Sequence, residues 1–188
     1  MQRESFMEER PEVAKHASGV VLEIGFGSGL NLPFYKNVTK FYALDPSVSL
    51  HELAKQNIEK VSFLVEHIQA SAEKIPLPDS SVDAVVSTWT MCSIPDIDAA
   101  LGEVRRVLKP EGKFAFIEHG KSPKIFWQTL QNIITPISKL FTGGCNLNRE
   151  MDKLIAQNGL QIVDLMKFPE KGRPLNFVYK GVAVIKRK

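Results

Sequence analysis

The chain has 188 residues, of which 44% are hydrophobic and 24% are charged, as in one ordinary globular domain. A net charge of +3 with scattered basic residues excludes the electrostatic footprint of a nucleic-acid-binding protein. No apolar run reaches the roughly 18 residues that span a bilayer, and the N-terminus lacks a hydrophobic signal core. Two cysteines are too few for a disulfide framework. We therefore expect a single cytoplasmic domain over residues 1–188, with no nucleic-acid partner and no metal site.

The first predicted elements are a helical N-terminal segment and a strand that leads into a glycine-rich turn. Residues 1–18 form the predicted N-terminal segment, and Val20–Ile24 is mostly β-branched or aliphatic, as a strand buried on both faces requires. Gly25, Gly27 and Gly29 follow at alternate positions, where positive φ lets the backbone lie flat against a ligand. A helix expected from about residue 30 would point its free N–H groups back into the turn. The segment predicts a nucleotide-cofactor loop.

The spacing and charge of this loop indicate which nucleotide it binds. A dinucleotide loop has the spacing G-x-G-x-x-G, whereas the glycines here follow G-x-G-x-G with Glu23 two residues ahead. A carboxylate there would repel a pyrophosphate and suits a ligand that carries an ammonium group. The pattern E-x-G-x-G-x-G resembles motif I of the class I S-adenosylmethionine-dependent methyltransferases. The resemblance implies S-adenosylmethionine as the cofactor, bound by Glu23, Gly25, Phe26, Gly27, Gly29 and Asn31.

A carboxylate closes the second predicted strand, which covers residues 40–44. Asp45 lies near the position at which a βαβ unit places an acid on the ribose hydroxyls of a nucleoside. A carboxylate can accept hydrogen bonds from both hydroxyls at once. Asp45 and Pro46 are therefore predicted cofactor residues. Alternatively, they begin the helix predicted over Val48–Ile58, and the acid alone would suit NAD as well as S-adenosylmethionine.

The third predicted strand, residues 61–65, leads to a proline-bounded loop over residues 69–79. This loop resembles the A-E-x-L-P-F segment of the ubiquinone- and menaquinone-biosynthesis type of class I methyltransferase, in which a residue just before the alanine contacts the adenine. That residue is usually Asp in the family and is Ser71 here. The resemblance implies Ser71 and Ala72 as adenine contacts. Without it, the segment is only a loop.

The fourth predicted strand, residues 81–87, runs into polar and aromatic side chains. Ligands of open parallel sheets lie beyond the carboxyl ends of the strands, so Thr88 and Trp89 should face the cleft. Thr88 is a predicted cofactor residue, and Trp89 is either a substrate wall or part of the core. An amphipathic helix is predicted over 96–108, and Lys109–Gly112 is predicted to be the turn that ends it.

The fifth predicted strand, residues 113–117, ends in Glu118 and His119. A carboxylate and an imidazole at the carboxyl end of a strand are candidates for proton transfer, because histidine can accept a proton near neutral pH. Both are predicted catalytic residues. Alternatively, the histidine is structural and the glutamate orients a loop.

Residues 123–158 are predicted to form a helical cap over the substrate. Apolar residues recur at helical spacing over 125–140, and Pro136 should kink or divide that helix. Asn148 is the predicted N-cap of a second helix, which ends at Gly159.

A second set of sequence motifs indicates one group within the class I methyltransferases. The string F-x-G-G-C-N-L-N-R-E, the E-H pair and V-L-E-I-G-F-G-S-G-L-N-L-P-F-Y together resemble the methyltransferase-like thiol S-methyltransferase group and its bacterial relatives. Trp127 and Asn146 are predicted substrate contacts, and Cys145 is interpreted as a packed loop cysteine because direct methyl transfer needs no protein nucleophile. Eukaryotic members carry an N-terminal membrane anchor. We expect that attachment not to apply here, although peripheral membrane contact stays open.

The last two apolar runs, residues 160–168 and 176–186, are too close together for a crossover helix and must pair antiparallel. A parallel sheet that ends in an antiparallel hairpin agrees with the resemblance to the class I methyltransferases. The resemblance implies an α/β, Rossmann-like fold with helices on both faces of a seven-stranded, mostly parallel sheet, in the strand order 3-2-1-4-5-7-6 with the last strand antiparallel.

The predicted reaction is methyl transfer from S-adenosylmethionine to a small apolar acceptor, with S-adenosylhomocysteine as the product. A thiol is favoured, and a lipid amine or a quinone stays open. Two other classes also stay open: an NAD-dependent oxidoreductase on a Rossmann-type sheet, and a S-adenosylmethionine-binding regulatory protein without catalytic activity.

Overall fold

A seven-stranded sheet forms the centre of the fold in the computed structural model, which describes residues 7–141 and 143–186. The strand order is β3-β2-β1-β4-β5-β7-β6. β1, β2, β3, β4 and β5 pair in parallel, whereas β7 is antiparallel to both β5 and β6. The predicted fold class and strand order are confirmed. The strands are β1 Gly19–Ile24, β2 Val38–Leu44, β3 Leu64–Ile68, β4 Val82–Thr88, β5 Leu108–Gly120, β6 Leu160–Glu170 and β7 Arg173–Ile185.

Helices cover both faces of this sheet. Along β1, Leu22 and Ile24 face the side packed by the helices Ile97–Val107 and Met151–Gln157. Val21 faces the opposite side, which is packed by the helices Arg10–Ala14 and Val48–Ile58. This alternation follows from the two-residue period of a strand, and burial of both faces explains why the strand is apolar apart from Glu23. The helices, among the described residues, are α1 Arg10–Ala14, α2 Val48–Ile58, α3 Ile97–Val107, α4 Ile125–Phe141 and α5 Met151–Gln157, with a 3-10 turn at Leu32–Phe34.

α4 is tied to the end of β5 by a buried glutamine. Gln131 accepts a hydrogen bond from the Ser122 backbone N–H and donates one to the Gly120 carbonyl. Four large apolar side chains of this helix remain exposed to solvent: Ile125, Phe126, Ile133 and Ile137. The helix continues through Pro136, so the predicted division at this proline is not observed.

Two predicted element boundaries are wrong. Lys109–Gly112, predicted as a turn between elements, is a bulge inside β5: Leu108 pairs with Val82 and Lys113 with Ala84, so the four residues between them have no partner on β4. The third strand covers Leu64–Ile68 instead of residues 61–65, and the Val61 N–H closes a turn on the Ile58 carbonyl. Residues 30–36, predicted as a short helix or turn, contain the 3-10 turn Leu32–Phe34.

The predicted N-cap of α5 is also wrong. The Asn148 side chain donates to the Asn132 Oδ1 at 3.0 Å, and the helix begins later, with Glu150 in the cap position and no side-chain cap. Gly159 does follow this helix with φ of 77°, so the predicted end is confirmed.

Within the part of the chain that the structure describes, no helix combines the length and the apolar character needed to cross a membrane.

Candidate active site

A cavity of about 880 Å³ opens at the carboxyl edge of the parallel strands, within the size range of small-molecule sites. We distinguish two sides. The glycine side contains Gly25, Gly27, Leu44, Asp45, Pro46, Ser47, Leu50, Ser71 and Ala72. The cysteine side contains Trp89, Thr90, Cys92, Ser93, Ile94, Pro95, His119, Gly143, Cys145, Leu147, Arg173 and Asn176. Eight predicted site residues therefore line one cavity: Gly25, Gly27, Asp45, Pro46, Ser71, Ala72, Trp89 and His119.

The glycine loop takes its conformation from positive φ angles at all three glycines. Gly25, Gly27 and Gly29 have φ of 67°, 58° and 73°. A Cβ at Gly25 would overlap the side chain of Thr90, whereas a Cβ at Gly27 would meet nothing nearer than 3.9 Å. The backbone at Gly27 is therefore open to the cavity, as a loop that cradles a ligand must be.

Asp45 closes this loop from the end of β2. Its carboxylate accepts hydrogen bonds from the backbone N–H groups of Gly27, at 2.9 Å, and Ser47, at 2.8 Å. Ser47 accepts a hydrogen bond from the Leu50 N–H and is the N-cap of α2. The alternative role considered for Asp45, as the cap of this helix, is therefore filled by Ser47. Because a carboxylate has about four acceptor sites, Asp45 retains capacity for ribose hydroxyls.

The adenine contacts predicted from the proline-bounded loop also reach the cavity. Ser71 donates a hydrogen bond to Glu73 Oε2 at 2.8 Å, and Ala72 beside it is buried. Both residues line the glycine side. The loop therefore lines the same side of the cavity as Asp45.

Five predicted residues lie behind the cavity wall instead of in it. Glu23 and Asn31 are each 1% exposed, and Thr88 is also buried. Asn31 donates to Glu23 Oε1 at 2.8 Å and to Thr88 Oγ1 at 3.0 Å, so these polar residues form one network. Phe26 packs in the core, and a Cβ at Gly29 would lie 3.0 Å from the Phe26 ring.

Two further residues complete this network, and the sequence pattern did not indicate them. The Tyr35 hydroxyl donates to Glu23 Oε2 at 2.8 Å, and the Arg10 guanidinium donates to Asn31 Oδ1 at 2.7 Å. Burial raises the pKa of Glu23 to about 7, and the hydrogen bond from Tyr35 and the charge of Arg10 oppose that shift. Burial also lowers the pKa of Arg10.

Trp89 is held in a strained conformation at the centre of the cavity. Its φ is 58°, in the left-handed region that bulky residues rarely occupy. Its ring packs on His119, with 4.6 Å between centroids. Strain of this kind persists only where the surroundings impose it, and it is concentrated at functional sites.

The loop that carries Trp89 is held by the buried carboxylate of Glu118. This group accepts hydrogen bonds from the Ser87 hydroxyl at 2.6 Å and from the backbone N–H groups of Thr90 and Cys92. Burial raises the pKa of Glu118, against the effect of these hydrogen bonds. Glu118 does not line the cavity, so the geometry favours the orienting role over direct proton transfer.

Asn146 and Arg149 hold the same loop from the opposite side. The Asn146 backbone N–H and side-chain amide both donate to the Cys92 carbonyl, at 2.7 and 2.9 Å. Arg149 donates to the carbonyls of Met91 and Pro95. Asn146, predicted as a substrate contact, is thus placed behind the cavity wall and fixes Cys92.

His119 lies between the cysteines and an acid that the sequence pattern did not indicate. Its Nδ1 is 3.6 Å from Cys145 Sγ, and its Nε2 is 3.5 Å from Glu170 Oε2. Burial alone would lower the pKa of His119, whereas hydrogen bonding to Cys92 and Glu170 raises it to about 9. A hydrogen bond with Cys145, together with burial, raises the pKa of Cys92.

Trp127 lies apart from these groups. Its ring contacts Phe126 edge to face, with 5.0 Å between centroids, and it is not among the residues lining the cavity. Of the two predicted tryptophan contacts, the fold brings only Trp89 to the cavity.

The sheet order, the glycine loop beside Asp45 and the terminal antiparallel hairpin together define a class I S-adenosylmethionine-dependent methyltransferase. The open backbone at Gly27 and the remaining acceptor capacity of Asp45 fit that cofactor. The model of the methyltransferase domain family matches residues 22–116, about half of the chain. The chain belongs to this family, and its cofactor is S-adenosylmethionine.

Individual relatives are consistent with this assignment. The chain is similar to human thiol S-methyltransferase TMT1A, with 33% identity over 139 residues, 72% of this chain and 57% of that protein. It is also similar to rat thiol S-methyltransferase TMT1B, with 36% identity over 152 residues, 77% of this chain and 61% of that protein. The chain thus spans less than two thirds of the length of these relatives.

A solved structure shares the fold over the full chain. The YcgJ protein from Bacillus subtilis aligns with a TM-score of 0.76 and 20% identity, covering 99% of this chain and 100% of that one. At this identity the likeness concerns the fold alone.

The contrast between Gly25 and Gly27 gives a matched test of the loop. We expect Gly27→Ala to lower the free energy of unfolding by about 1–2 kcal/mol through its left-handed φ, and to weaken S-adenosylhomocysteine binding. Gly25→Ala should cost more, because its Cβ also overlaps Thr90. Gly172 also has a positive φ, of 73°, and a Cβ there would meet no atom within 4 Å. Gly172→Ala is therefore the control for φ strain alone. Equal unfolding energies for the variants at positions 25 and 172, by denaturant titration, would contradict the overlap.

The raised pKa of Glu23 predicts a pH-dependent stability. The native carboxyl binds its proton with a pKa of about 7, against 4.5 when unperturbed, so its contribution is complete below pH 4.5 and is lost as the pH rises through 7. We expect the free energy of unfolding to fall across this window by up to roughly 3 kcal/mol from this group. Glu23→Gln should flatten the fall in denaturant titrations at several pH values. An unchanged slope would rule out Glu23 as its source.

Proposed function

We propose that this protein transfers the methyl group of S-adenosylmethionine to the sulfur of a small apolar thiol. Family membership supplies the methyl donor, and the similarity to two thiol S-methyltransferases supports the acceptor class. Within this chain, the residues on the cysteine side of the cavity support a thiol as the acceptor.

The chemistry of that side suits a neutral acceptor. Among the described residues that line the cavity, Asp45 is the one carboxylate, and it lies on the glycine side. An amine acceptor is a cation at neutral pH and would need an acid nearby to hold it and to take its proton. Trp89, Ile94 and the two cysteines instead form an apolar, polarisable surface, and the charged group beside it on this side is the cation Arg173, which favours a thiol over a positively charged lipid amine.

The protein's part in this reaction is to hold two reactants in line. S-adenosylmethionine supplies an electrophilic methyl group on a positively charged sulfur. Asp45 and the Gly27 backbone would hold its nucleoside, and the network around Glu23 would set the negative potential for its ammonium group. Fixing both reactants in a near-attack geometry can supply about 7–11 kcal/mol of the barrier.

On the acceptor side, we assign His119 as the catalytic residue that contacts the thiol and Glu118 as a positioning residue. His119 lines the cavity against Trp89, whereas Glu118 acts through the backbone of the loop that carries Trp89. Trp89 would exclude water from the sulfur and form the apolar wall for the alkyl group.

A methyl-transfer screen tests the acceptor. Alkyl thiols, the alcohols and amines of matching chain length, a quinol and a phosphatidylethanolamine vesicle would each be incubated with protein and S-adenosylmethionine. We expect S-adenosylhomocysteine release with thiols, and rates that rise with alkyl length. Turnover of amines or quinols without thiols would overturn the proposed acceptor, and binding without any turnover would indicate a regulatory protein.

Asp45→Ala tests cofactor binding. It should raise the cofactor KM about ten- to a hundredfold, because hydrogen bonds to a charged group contribute roughly 1.5–3 kcal/mol.

A further inference from the structure

Three buried side chains with metal-binding atoms meet on the cysteine side of the cavity. We propose that Cys92, His119 and Cys145 bind one Zn²⁺ ion and leave its fourth coordination position open to the cavity, where the acceptor thiol binds. The use of that fourth position rests on the proposed thiol methylation; the metal site itself does not.

The distances agree with a tetrahedral site. The ligand atoms of the three residues all lie within 4.8 Å of one another. Zinc bonds of about 2.3 Å to sulfur and 2.0–2.1 Å to nitrogen place sulfur and nitrogen roughly 3.6 Å apart in a tetrahedron. Cys145 Sγ and His119 Nδ1 are separated by 3.6 Å. Two sulfurs and one imidazole form a donor set that zinc prefers.

The other nitrogen of His119 is held as in a metal-binding histidine. Nε2 faces Glu170 Oε2 at 3.5 Å, so an Nε2–H group can donate to this carboxylate and leave the Nδ1 lone pair directed at the cysteines. Asn176 donates to this same carboxylate and holds it in place. Carboxylates that orient a ligand histidine typically contribute ten- to a hundredfold to metal affinity.

The backbone around the site is fixed before any ligand arrives. The Cys92 N–H donates to Glu118, and its carbonyl accepts two hydrogen bonds from Asn146, the residue after Cys145. The two cysteines are therefore joined by direct hydrogen bonds between their loops. Preorganisation of this kind reduces the ordering that metal binding would otherwise require.

Three protein ligands with an open fourth position are the arrangement of catalytic zinc sites. Cys92, His119 and Cys145 all line the cavity, so the open position faces the space available to the acceptor. With Nδ1 on zinc and Nε2 at Glu170, His119 acts on the thiol through the ion, and a thiol that coordinates zinc loses its proton to solvent. Its sulfur lone pair then attacks the methyl carbon, the bond from that carbon to the sulfonium sulfur breaks, and the electron pair stays on S-adenosylhomocysteine.

Metal content and cobalt spectra test the site without any measurement of activity. The reduced full-length chain, stripped with a chelator and dialysed against Zn²⁺, should retain one ion per chain. Co²⁺ should give thiolate charge-transfer bands and the strong visible bands of tetrahedral cobalt. Cys92→Ser and Cys145→Ser should each abolish these bands, and Glu170→Gln should weaken Zn²⁺ binding ten- to a hundredfold. His16→Ala, at a histidine that does not line the cavity, should match the wild type.

Several results would overturn the metal site. These are zinc retention below one ion in ten chains, cobalt spectra that both cysteine variants share with the wild type, or loss of the bands in His16→Ala. Formation of a Cys92–Cys145 disulfide in the unreduced chain, with no zinc bound after reduction, would overturn it as well.

Methyl transfer by the zinc-loaded and metal-free chain separates this inference from the proposed function. A thiol with a pKa near 8.5 is only about 3% ionised at pH 7, so zinc should accelerate its methylation by up to roughly thirtyfold. A thiol that is already ionised at pH 7 should gain little. If the un-ionised thiol is methylated at the same rate with and without bound zinc, the proposed role of the fourth coordination position is overturned and the proposed function is left intact. Zinc binding with no thiol methylated would overturn the proposed function and leave the metal site intact.

Discussion

The buried carboxylate of Glu118 is the group on which the geometry of the site depends. It fixes the backbone of the loop after β4 through the N–H groups of Thr90 and Cys92. Thr90 then fills the space above Gly25, which is why a side chain cannot be accommodated there. A single carboxylate thus sets the distance between the loop that binds the cofactor and the wall that receives the acceptor. Because it is fully buried, replacing it would leave several backbone donors without a partner.

Glu23, near the end of β1, is a second buried acid that organises the residues around it. Glu23 is enclosed by Asn31, Tyr35 and Arg10, whereas Glu118 is held mainly by backbone groups. The difference has a chemical consequence. The partners of Glu23 are side chains, one of them the cation Arg10, and burial raises its pKa to about 7, so its charge can change near neutral pH. The partners of Glu118 are fixed amides, so its role is confined to shape.

Local patterns in the sequence predicted the fold and the glycine side of the cavity. Apolar runs, glycine spacing and a short final connection are all properties of neighbouring residues, and they indicate the strands and the final antiparallel pair, whereas the order of the sheet followed from the resemblance to the class I methyltransferases. The predicted ends of helices and strands were wrong where tertiary contacts overrode the local preference of the residues. Asn148 is a good cap by type, but its amide bonds to Asn132 across the chain. Arg10 and Glu170 could not be found in the same way, because each reaches the site only through the folded sheet.

The proposed zinc site would show the same limit. Zinc ligands are recognised in a sequence by short, regular spacings between cysteines and histidines, and without such a spacing the sequence led to the expectation of no metal site. Here Cys92 follows β4, His119 lies at the end of β5 and Cys145 follows α4, so no local spacing connects them. What brings them together is the parallel order of β4 and β5 and the hydrogen bonds from Asn146 to the Cys92 carbonyl. The cavity that contains the glycine loop therefore also gathers soft metal-binding atoms from distant segments of the chain.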